Sequence, residues 1–365
     1  MFDERCAGRS GTALRLSLML LLLAGSSGSA RADGLSLKAR PLRDAVPVGS
    51  PVILELTIQN TSPQKASLDY SYPGAITFML RQSPAVEGEE VVYPPGFHEH
   101  RQVILAPGET YTEYAVLFWS LPPRRQTPPV FTKAGDMSVV AALELKTREE
   151  LTAEPVVLKV TPQEEGPSAV DVFSKLKEGE REAAAAFFCL SFTKPACMKS
   201  PVYEEFPPRA LGTLVTIRRD CRDPISKYLA TQALAAYHGS MLGAVCAESR
   251  DWPRLKLTEL ESFRVLKELT REDPPVEYVP IVARERELNR ALLLLASGEC
   301  EKSKRVIESL SDGEHKDWVS VDAQSWLPIW DDLVARSRGK SAPNAPPAPP
   351  GPQQEFQQKE HEGNK

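Results

Sequence analysis

The sequence lacks the short motifs by which enzymes of the common classes are recognised. None of G-x-S-x-G, H-E-x-x-H, G-x-G-x-x-G or a Walker-type phosphate loop occurs in its 365 residues. This removes the motif-based reasons for predicting a serine hydrolase, a zinc peptidase, a dinucleotide-dependent enzyme or an NTPase. We therefore predict that the protein is not an enzyme, and we assign no catalytic residue, no cofactor-binding residue and no metal ligand.

Cysteine is scarce, and no two cysteines have the C-x-x-C spacing of a structural zinc site. Only one of the six precedes residue 189. The other five lie in the second half of the chain, where an oxidising compartment would permit disulfides. Because five is odd, one thiol would remain free or pair with another molecule. The sequence leaves the pairing open among these possible disulfide cysteines: Cys189, Cys197, Cys221, Cys246 and Cys300.

No run of about 20 apolar residues, the length that spans a bilayer, is present. The longest apolar core, Leu16–Ala24, follows Arg5, Arg9 and Arg15, and the A-x-A pattern Ala30-Arg31-Ala32 comes shortly after it. This arrangement is typical of a secretory signal peptide. We predict a signal peptide over residues 1–32 with cleavage after Ala32, an uncleaved anchor being the alternative. The processed protein is then exported, periplasmic or extracellular, without a transmembrane anchor.

Basic residues do not dominate the chain, whose formal net charge is −5 with 25% charged residues. A mildly acidic protein without a basic stripe is a poor ligand for nucleic acid. It is equally unsuited to electrostatic adsorption on an anionic membrane. We therefore expect a protein partner, whose identity the sequence does not reveal.

Residues 33–162 show the period of two that is typical of strands with one face in a core. The pattern is clearest in Val52–Asn60, Met137–Leu145 and Pro155–Thr161. Residues 44–51 are predicted to form a turn. Short strands separated by Gly/Pro turns indicate an antiparallel β-sandwich of seven or eight strands. The remaining predicted strands are Leu35–Arg40, Ala66–Tyr72, Ala75–Gln82, Arg101–Leu105 and Thr110–Trp119.

Three segments of this half resemble the landmarks of a bacterial immunoglobulin-like domain family named after an intracellular proteinase inhibitor. They are Leu56–Ser62 (LTIQNTS), Val103–Glu109 (VILAPGE) and Gly135–Ala141 (GDMSVVA). The third departs from the common G-x-Y-x-V-x-A pattern, because Met137 stands where tyrosine is usual. The resemblance covers about a third of the chain and implies an immunoglobulin-like sandwich. It also implies that loops of the sandwich could inhibit a proteinase.

The chain after a short linker, 163–167, has helical periodicity, so residues 168–338 are predicted to form an α-helical domain. Tyr228–Gly243, and Ala291–Gly298 with Glu301–Leu310, resemble tetratricopeptide-like hairpins, although no clean 34-residue period occurs. An irregular bundle and a solenoid both remain open. Residues 339–365 are rich in proline and glutamine and are predicted to be a disordered tail. The predicted helices start at Ser168 and continue with Glu180–Leu190, Arg209–Arg219, Pro224–Ala247, Trp252–Arg271, Tyr278–Ala296, Cys300–Leu310 and Trp318–Arg336.

Few side chains suggest chemistry. His98 and His100 have the spacing of two metal ligands on one strand face, but two ligands do not make a catalytic site, and solvated loop residues are the simpler interpretation. His238 and His315 are the histidines with which a cysteine could form a nucleophilic pair; disulfides or core packing explain the cysteines better. Tryptophans Trp318, Trp326 and Trp330 could line a groove but are better explained by packing. Surface solvation accounts for the carboxylates of Glu178, Glu180, Glu182, Asp331 and Asp332.

Taken together, these observations predict an exported, non-catalytic protein that mediates protein–protein interaction in the bacterial envelope. A proteinase inhibitor acting through Ser83–Gly96 or Leu121–Val130 is the alternative. A third interpretation is an enzyme of unrecognised type that would depend on the cysteines or on His98 and His100.

Overall fold

The computed structural model describes residues 34–72, 75–83, 90–92, 99–118, 130–163, 165–190, 208–248, 255–271, 279–311 and 317–338. The predicted signal peptide and the predicted tail lie outside these residues. Strands occupy the described chain up to Thr161, and helices follow from Ala169. The protein therefore has a β half, residues 34–163, followed by a helical half, residues 165–338.

The β half contains eleven strands among its described residues. They are β1 (Leu35–Pro41), β2 (Ala45–Pro47), β3 (Val52–Asn60), β4 (Ala66–Tyr72), β5 (Ile76–Ser83), β6 (Glu90–Val92), β7 (Glu99–Leu105), β8 (Thr110–Leu117), β9 (Gly135–Glu144), β10 (Glu150–Thr152) and β11 (Val156–Thr161). The order β1-β3-β8 makes one sheet and β2-β11-β9-β5-β6 a second, to which β10 is joined through β9. Strands β4 and β7 form a separate pair. Every pairing is antiparallel except that of β2 with β11.

Strand β3 shows how the sequence pattern becomes two faces. Leu54 and Leu56 are buried in a core to which all three sheets contribute, together with Phe78 and Val139. Ile53 points the other way and belongs to a different cluster. The alternation follows from the pleat, which sends successive side chains to opposite faces of the sheet.

Three short strands, β2, β6 and β10, are absent from the prediction, and the predicted turn at 44–51 is partly wrong. Strands β2, β6 and β10 have only three residues each, which is too few to show an alternating pattern. Ala45–Pro47 becomes a strand because it pairs in parallel with Lys159–Thr161, a contact between residues more than a hundred positions apart. Pairing at that distance is invisible to a local pattern.

The helical half contains eight α-helices among its described residues. They are α1 (Ala169–Phe173), α2 (Glu178–Leu190), α3 (Pro208–Asp220), α4 (Pro224–Glu248), α5 (Glu261–Leu269), α6 (Val279–Ala296), α7 (Cys300–Ser311) and α8 (Trp318–Ser337). Ser168, where the predicted helices start, caps α1: its hydroxyl accepts from the Asp171 amide, and the Asp171 carboxylate accepts from the Ser168 amide.

One predicted helix is too long. Trp252–Arg271 becomes a 3₁₀ turn, Leu257–Glu259, and the helix α5, while residues 251–254 lie outside the described chain. Leu260 between them is extended, with φ −67° and ψ 143°. Its side chain is partly exposed, whereas Leu257 and Phe263 are buried, so the break lets the two flanking apolar side chains enter the core.

The two halves share a hydrophobic core, which the sequence did not predict. Ile53, Val116 and Phe118, on the outer face of the β3–β8 pair, join the cluster formed by the helices. Phe118 contacts Phe173 of α1 and Phe188 of α2, with ring centroids 5.5 and 5.1 Å away, and the latter two rings are 5.3 Å apart. We call these three rings the aromatic junction. Tilted and edge-to-face contacts at these separations are favourable beyond their apolar area.

Polar contacts accompany the aromatic junction. The Arg43 guanidinium lies 3.4 Å from the Asp223 carboxylate just before α4. The Val170 amide donates to the Gly49 carbonyl oxygen at 3.3 Å. Gly49 has φ +78°, and a Cβ there would lie 2.5 Å from Ser168 Oγ. The position therefore requires glycine both for its backbone conformation and for this close approach.

Replacing Phe173 by alanine should lower the free energy of unfolding by about 3 kcal/mol or more, because it removes a fully buried ring and leaves a cavity. Urea denaturation followed by circular dichroism measures this. Val157→Ala is the control, since Val157 is 64% exposed and its loss should cost less than about 0.5 kcal/mol. A Phe173→Ala loss as small as the control's would show that the aromatic junction does not hold the halves together.

Candidate functional site

A groove on the helical half, lined by described residues, has a volume of about 730 Å³. Helix α4 forms its floor, and the neighbouring helices α3 and α6 add further lining side chains. The end of α5 adds Leu269 and Thr270. We call it the basic groove, because four of its lining side chains are basic and none is acidic: Arg218, Arg219, Lys227 and Arg286. Its volume lies within the ~300–1,000 Å³ of ordinary ligand sites.

The floor of the groove is helix α4, so its position depends on the residue at which α4 begins. Pro224 stands at the first helical position, where a missing N–H costs nothing. The Asp223 carboxylate accepts from the Ser226 amide at 2.8 Å and from its hydroxyl at 2.7 Å, so Asp223 acts as the N-cap. From there Lys227, Thr231 and Ala235 recur every four residues along the groove, as the helical period requires.

Two of the four positive charges are already paired. Arg218 lies 3.6 Å from Glu268, which joins α3 to α5. Arg219 holds its neighbour Asp220 through two hydrogen bonds of 2.6 and 2.8 Å, which lower the pKa of the Asp220 carboxyl. Lys227 and Arg286 have no carboxylate within 4 Å among the described residues. The groove therefore carries uncompensated positive charge at α4 and α6.

A buried carboxyl lies beside the groove on α6. Glu285 is 3% exposed, and the Tyr228 hydroxyl donates to its Oε2 at 3.4 Å. Burial raises the pKa of Glu285 well above its ordinary range, which the Tyr228 hydrogen bond only partly opposes. A raised pKa favours the neutral form of the carboxyl, and a neutral carboxyl does not cancel the charge of its sequence neighbour Arg286.

Asn289, one helical turn after Glu285, also lines the groove. It is 4% exposed, and its Oδ1 has no hydrogen-bond partner among the residues that the structure describes. Buried polar atoms are normally paired, so an exception calls for an explanation. Neither Glu285 nor Asn289 is among the residues predicted from the sequence. The signal was present, because Glu285 and Asn289 fall on the apolar face of α6 that also carries Leu288, Leu292 and Leu295.

A second buried polar cluster lies in the core of the β half. Glu113 Oε2 accepts from the hydroxyls of Tyr70 at 2.8 Å and Tyr111 at 3.1 Å. Burial raises the pKa of Glu113, while the nearby Arg101 guanidinium and the two hydroxyls oppose that shift. All four residues are at most 2% exposed, so no ligand reaches them. The cluster ties the β4–β7 pair to β8 and is structural.

The predicted histidine sites do not come together in the described chain. His100 stands in β7 opposite Ser71, whereas His98 and His315 lie outside the described residues. His238, on α4, has its Nδ1 3.5 Å from Ser262 Oγ, and burial lowers the pKa of its imidazole. Among the residues that the structure describes, no three metal-ligating side chains form a group.

Four of the five cysteines are described, and each is a buried thiol: Cys189, Cys221, Cys246 and Cys300. Burial raises the pKa of Cys221 to about 11 and that of Cys246 to about 12. The carboxylates near Cys221 and the thiol of Cys300 near Cys246 add to the respective shifts. Such thiols are poor nucleophiles at neutral pH. Cys197 lies outside the described residues, and disulfide formation stays a prediction.

The other singled-out residues serve the fold where they are described. Trp326 and Trp330 stack with centroids 6.1 Å apart, and Trp330 Nε1 donates to Ser303 Oγ at 2.7 Å in the interior. Asp331 pairs with Lys304, and Asp332 with Arg336. Glu180 lies 4.0 Å from Arg209. The side chains of Trp318, Glu178 and Glu182, like most of the two loops assigned to proteinase inhibition, lie outside the described part.

Among the residues that the structure describes, no helix combines the length and the apolar character needed to cross a membrane.

Comparisons with known proteins leave the family open. No family model matches the chain, and no curated protein matches it. Solved structures match parts of it at 11–17% identity. A β-glucosidase from Erythrobacter marinus matches 35% of this chain at 11% identity with a TM-score of 0.24, but this covers only 15% of the enzyme. The chain therefore spans less than a sixth of that protein's length.

Two smaller structures are also similar in part. The sporulation control protein Spo0M from Bacillus subtilis matches 40% of this chain and 54% of its own length, at 12% identity and a TM-score of 0.23. A CARDB domain from Pyrococcus furiosus matches 35% of this chain and 94% of its own length, at 12% identity and a TM-score of 0.19. Scores this low carry no argument about function.

Replacing Glu285 by glutamine should change how stability depends on pH. A carboxyl whose pKa rises on folding favours the folded state below its unfolded pKa, and this contribution is lost as pH rises through the folded pKa. The glutamine variant should therefore gain stability relative to wild type from about pH 5 upward, by at most about 1.4 kcal/mol per pH unit. Urea denaturation at a series of pH values measures the difference.

The matched control is Glu287→Gln, two residues further along α6, where the side chain is 41% exposed and pairs with Arg290. Its stability difference from wild type should stay nearly constant over the same pH range. A pH-independent difference for Glu285→Gln as well would mean that Glu285 is ionised in the folded protein.

Proposed function

We propose that this is an exported, non-catalytic protein that mediates protein–protein interaction in the bacterial envelope, with the basic groove as its contact surface. The observation that carries the proposal is the combination of side chains in the groove. Val215, 46% exposed, and the aliphatic side chain of Leu269 lie among hydroxyl, amide and guanidinium groups. Apolar centres with a polar surround are the usual composition of protein-binding surfaces.

We propose further that the β half is an immunoglobulin-like sandwich and the helical half an irregular bundle or a solenoid. The antiparallel pairing of β1-β3-β8 and the single apolar core shared by all three sheets support the first part. The packing of each helix from α3 to α7 against the next helix along the chain supports the second part only in its coarse form. Folds of both kinds commonly present surfaces to other proteins, although fold alone does not define function.

Export is part of the same proposal and rests on the basic, apolar and A-x-A segments of residues 1–32. It places the partner in the periplasm or outside the cell. Because Ile53, Val116 and Phe118 belong to the same core as the helices, the two halves are unsuitable as separate baits. Any search for the partner needs the intact protein.

Site-specific photo-cross-linking in living cells tests the proposal. A photoreactive phenylalanine derivative replaces Val215 in the groove or, in the control, Val157 on β11, which is 64% exposed. We expect a discrete protein adduct from position 215 and none of the same mass from position 157. Identical adducts from both positions, or none from 215 in correctly exported protein, would contradict an interaction through the groove.

A further inference from the structure

We infer that the basic groove binds an extended, acidic peptide segment of the partner protein. This inference rests on the proposed function and adds the chemistry of the partner. Its three supports are the charge of the groove, an unsatisfied acceptor in its lining and the apolar side chains in the same lining.

The charge of the groove is opposite to that of the whole molecule. The chain carries a net charge of −5, yet the groove has four basic side chains and no acidic one. Glu268 and Asp220 neutralise Arg218 and Arg219 from outside the lining, which leaves Lys227 and Arg286 as the uncompensated pair. A cleft of one sign with low-dielectric walls concentrates ligands of the opposite sign.

The unsatisfied acceptor is Asn289 Oδ1, which is buried and has no hydrogen-bond partner in the described part of the chain. The terminal torsion of asparagine is soft, so a modest rotation would present its amide to a bound ligand. A peptide supplies main-chain N–H donors as well as carboxylates, whereas phosphate, sulfate and simple dicarboxylates supply no N–H. An acidic peptide therefore satisfies both the cations and the amide of the groove.

Apolar side chains in the lining of the groove give the third support. Val215 from α3, Ala235 from α4 and Leu269 from α5 all line the groove. They would accept an aliphatic side chain placed between acidic ones, as in a sequence that alternates Glu with Val. Extended segments present alternate side chains to opposite sides, so such a segment can bury its aliphatic positions while its carboxylates reach the rim.

The test is a titration of the purified protein against a fluorescent peptide of alternating Glu and Val, roughly eight residues long, which spans about 26 Å when extended. A peptide with Gln in place of Glu controls for acidity. We expect saturable binding of the Glu peptide that weakens with added salt. The Gln peptide should bind at least about tenfold more weakly, which corresponds to ~1.4 kcal/mol.

Two double variants of equal net charge locate the site. Lys227→Glu with Arg286→Glu reverses the uncompensated charges of the groove. Lys38→Glu with Arg264→Glu makes the same change at exposed side chains of β1 and α5 that do not line the groove. We expect the groove variant to lose at least about tenfold in affinity and the control less than about twofold. Lys227→Gln with Arg286→Gln repeats the test should the reversals impair folding.

Several results would overturn the inference: no binding of the Glu peptide at millimolar concentration, equal binding of the Gln peptide, or equal losses in the two double variants. Displacement of the peptide by free glutarate or phosphate at the same concentration would instead identify a small-anion site. The cross-linking experiment distinguishes failure of this inference from failure of the proposed function. A partner adduct at position 215 without acidic-peptide binding would refute the partner chemistry alone, whereas peptide binding without an adduct would refute the interaction in cells.

Discussion

The outer face of the β3–β8 pair is the surface on which the rest of the molecule depends. One face of an antiparallel sheet is commonly left to solvent, but here Ile53, Val116 and Phe118 make that second face apolar. Helices α1 and α2 cover it through Phe173 and Phe188. The three aromatic rings buried together give the two halves a shared core, and we therefore expect the halves to unfold as one cooperative unit.

This junction also positions the basic groove. Asp223 caps the first turn of α4 through Ser226 and at the same time lies against Arg43 of the β half. The floor of the groove therefore begins at a residue that both halves hold. Further along, Arg218 with Glu268 fixes α3 against α5, and Tyr228 with Glu285 fixes α4 against α6. These contacts set the spacing of the uncompensated cations, Lys227 and Arg286.

Sequence patterns predicted what is local and missed what is distant. Strand β3 and the helices from α3 onward were recognisable because burial repeats every two or every 3.6 residues within each element. Strand β2 depends on pairing with β11, and the break at Leu260 depends on where its neighbours pack, so neither has a local signature. Glu285 and Asn289 were detectable as polar residues on an apolar helical face. That Glu285 contacts Tyr228, and that Asn289 lines the same groove as Lys227, depends on the packing of α4 on α6.

Hydrogen exchange of the intact protein in increasing, sub-denaturing urea measures most directly whether the two halves form one cooperative unit. Mass spectrometry of peptides from β8 and from α4 reports the opening free energy of each segment. If the shared core governs stability, both segments lose protection at the same urea concentration and with the same dependence on it. Loss of protection in α4 while β8 remains fully protected, or the reverse, would show two independent folding units and contradict this account.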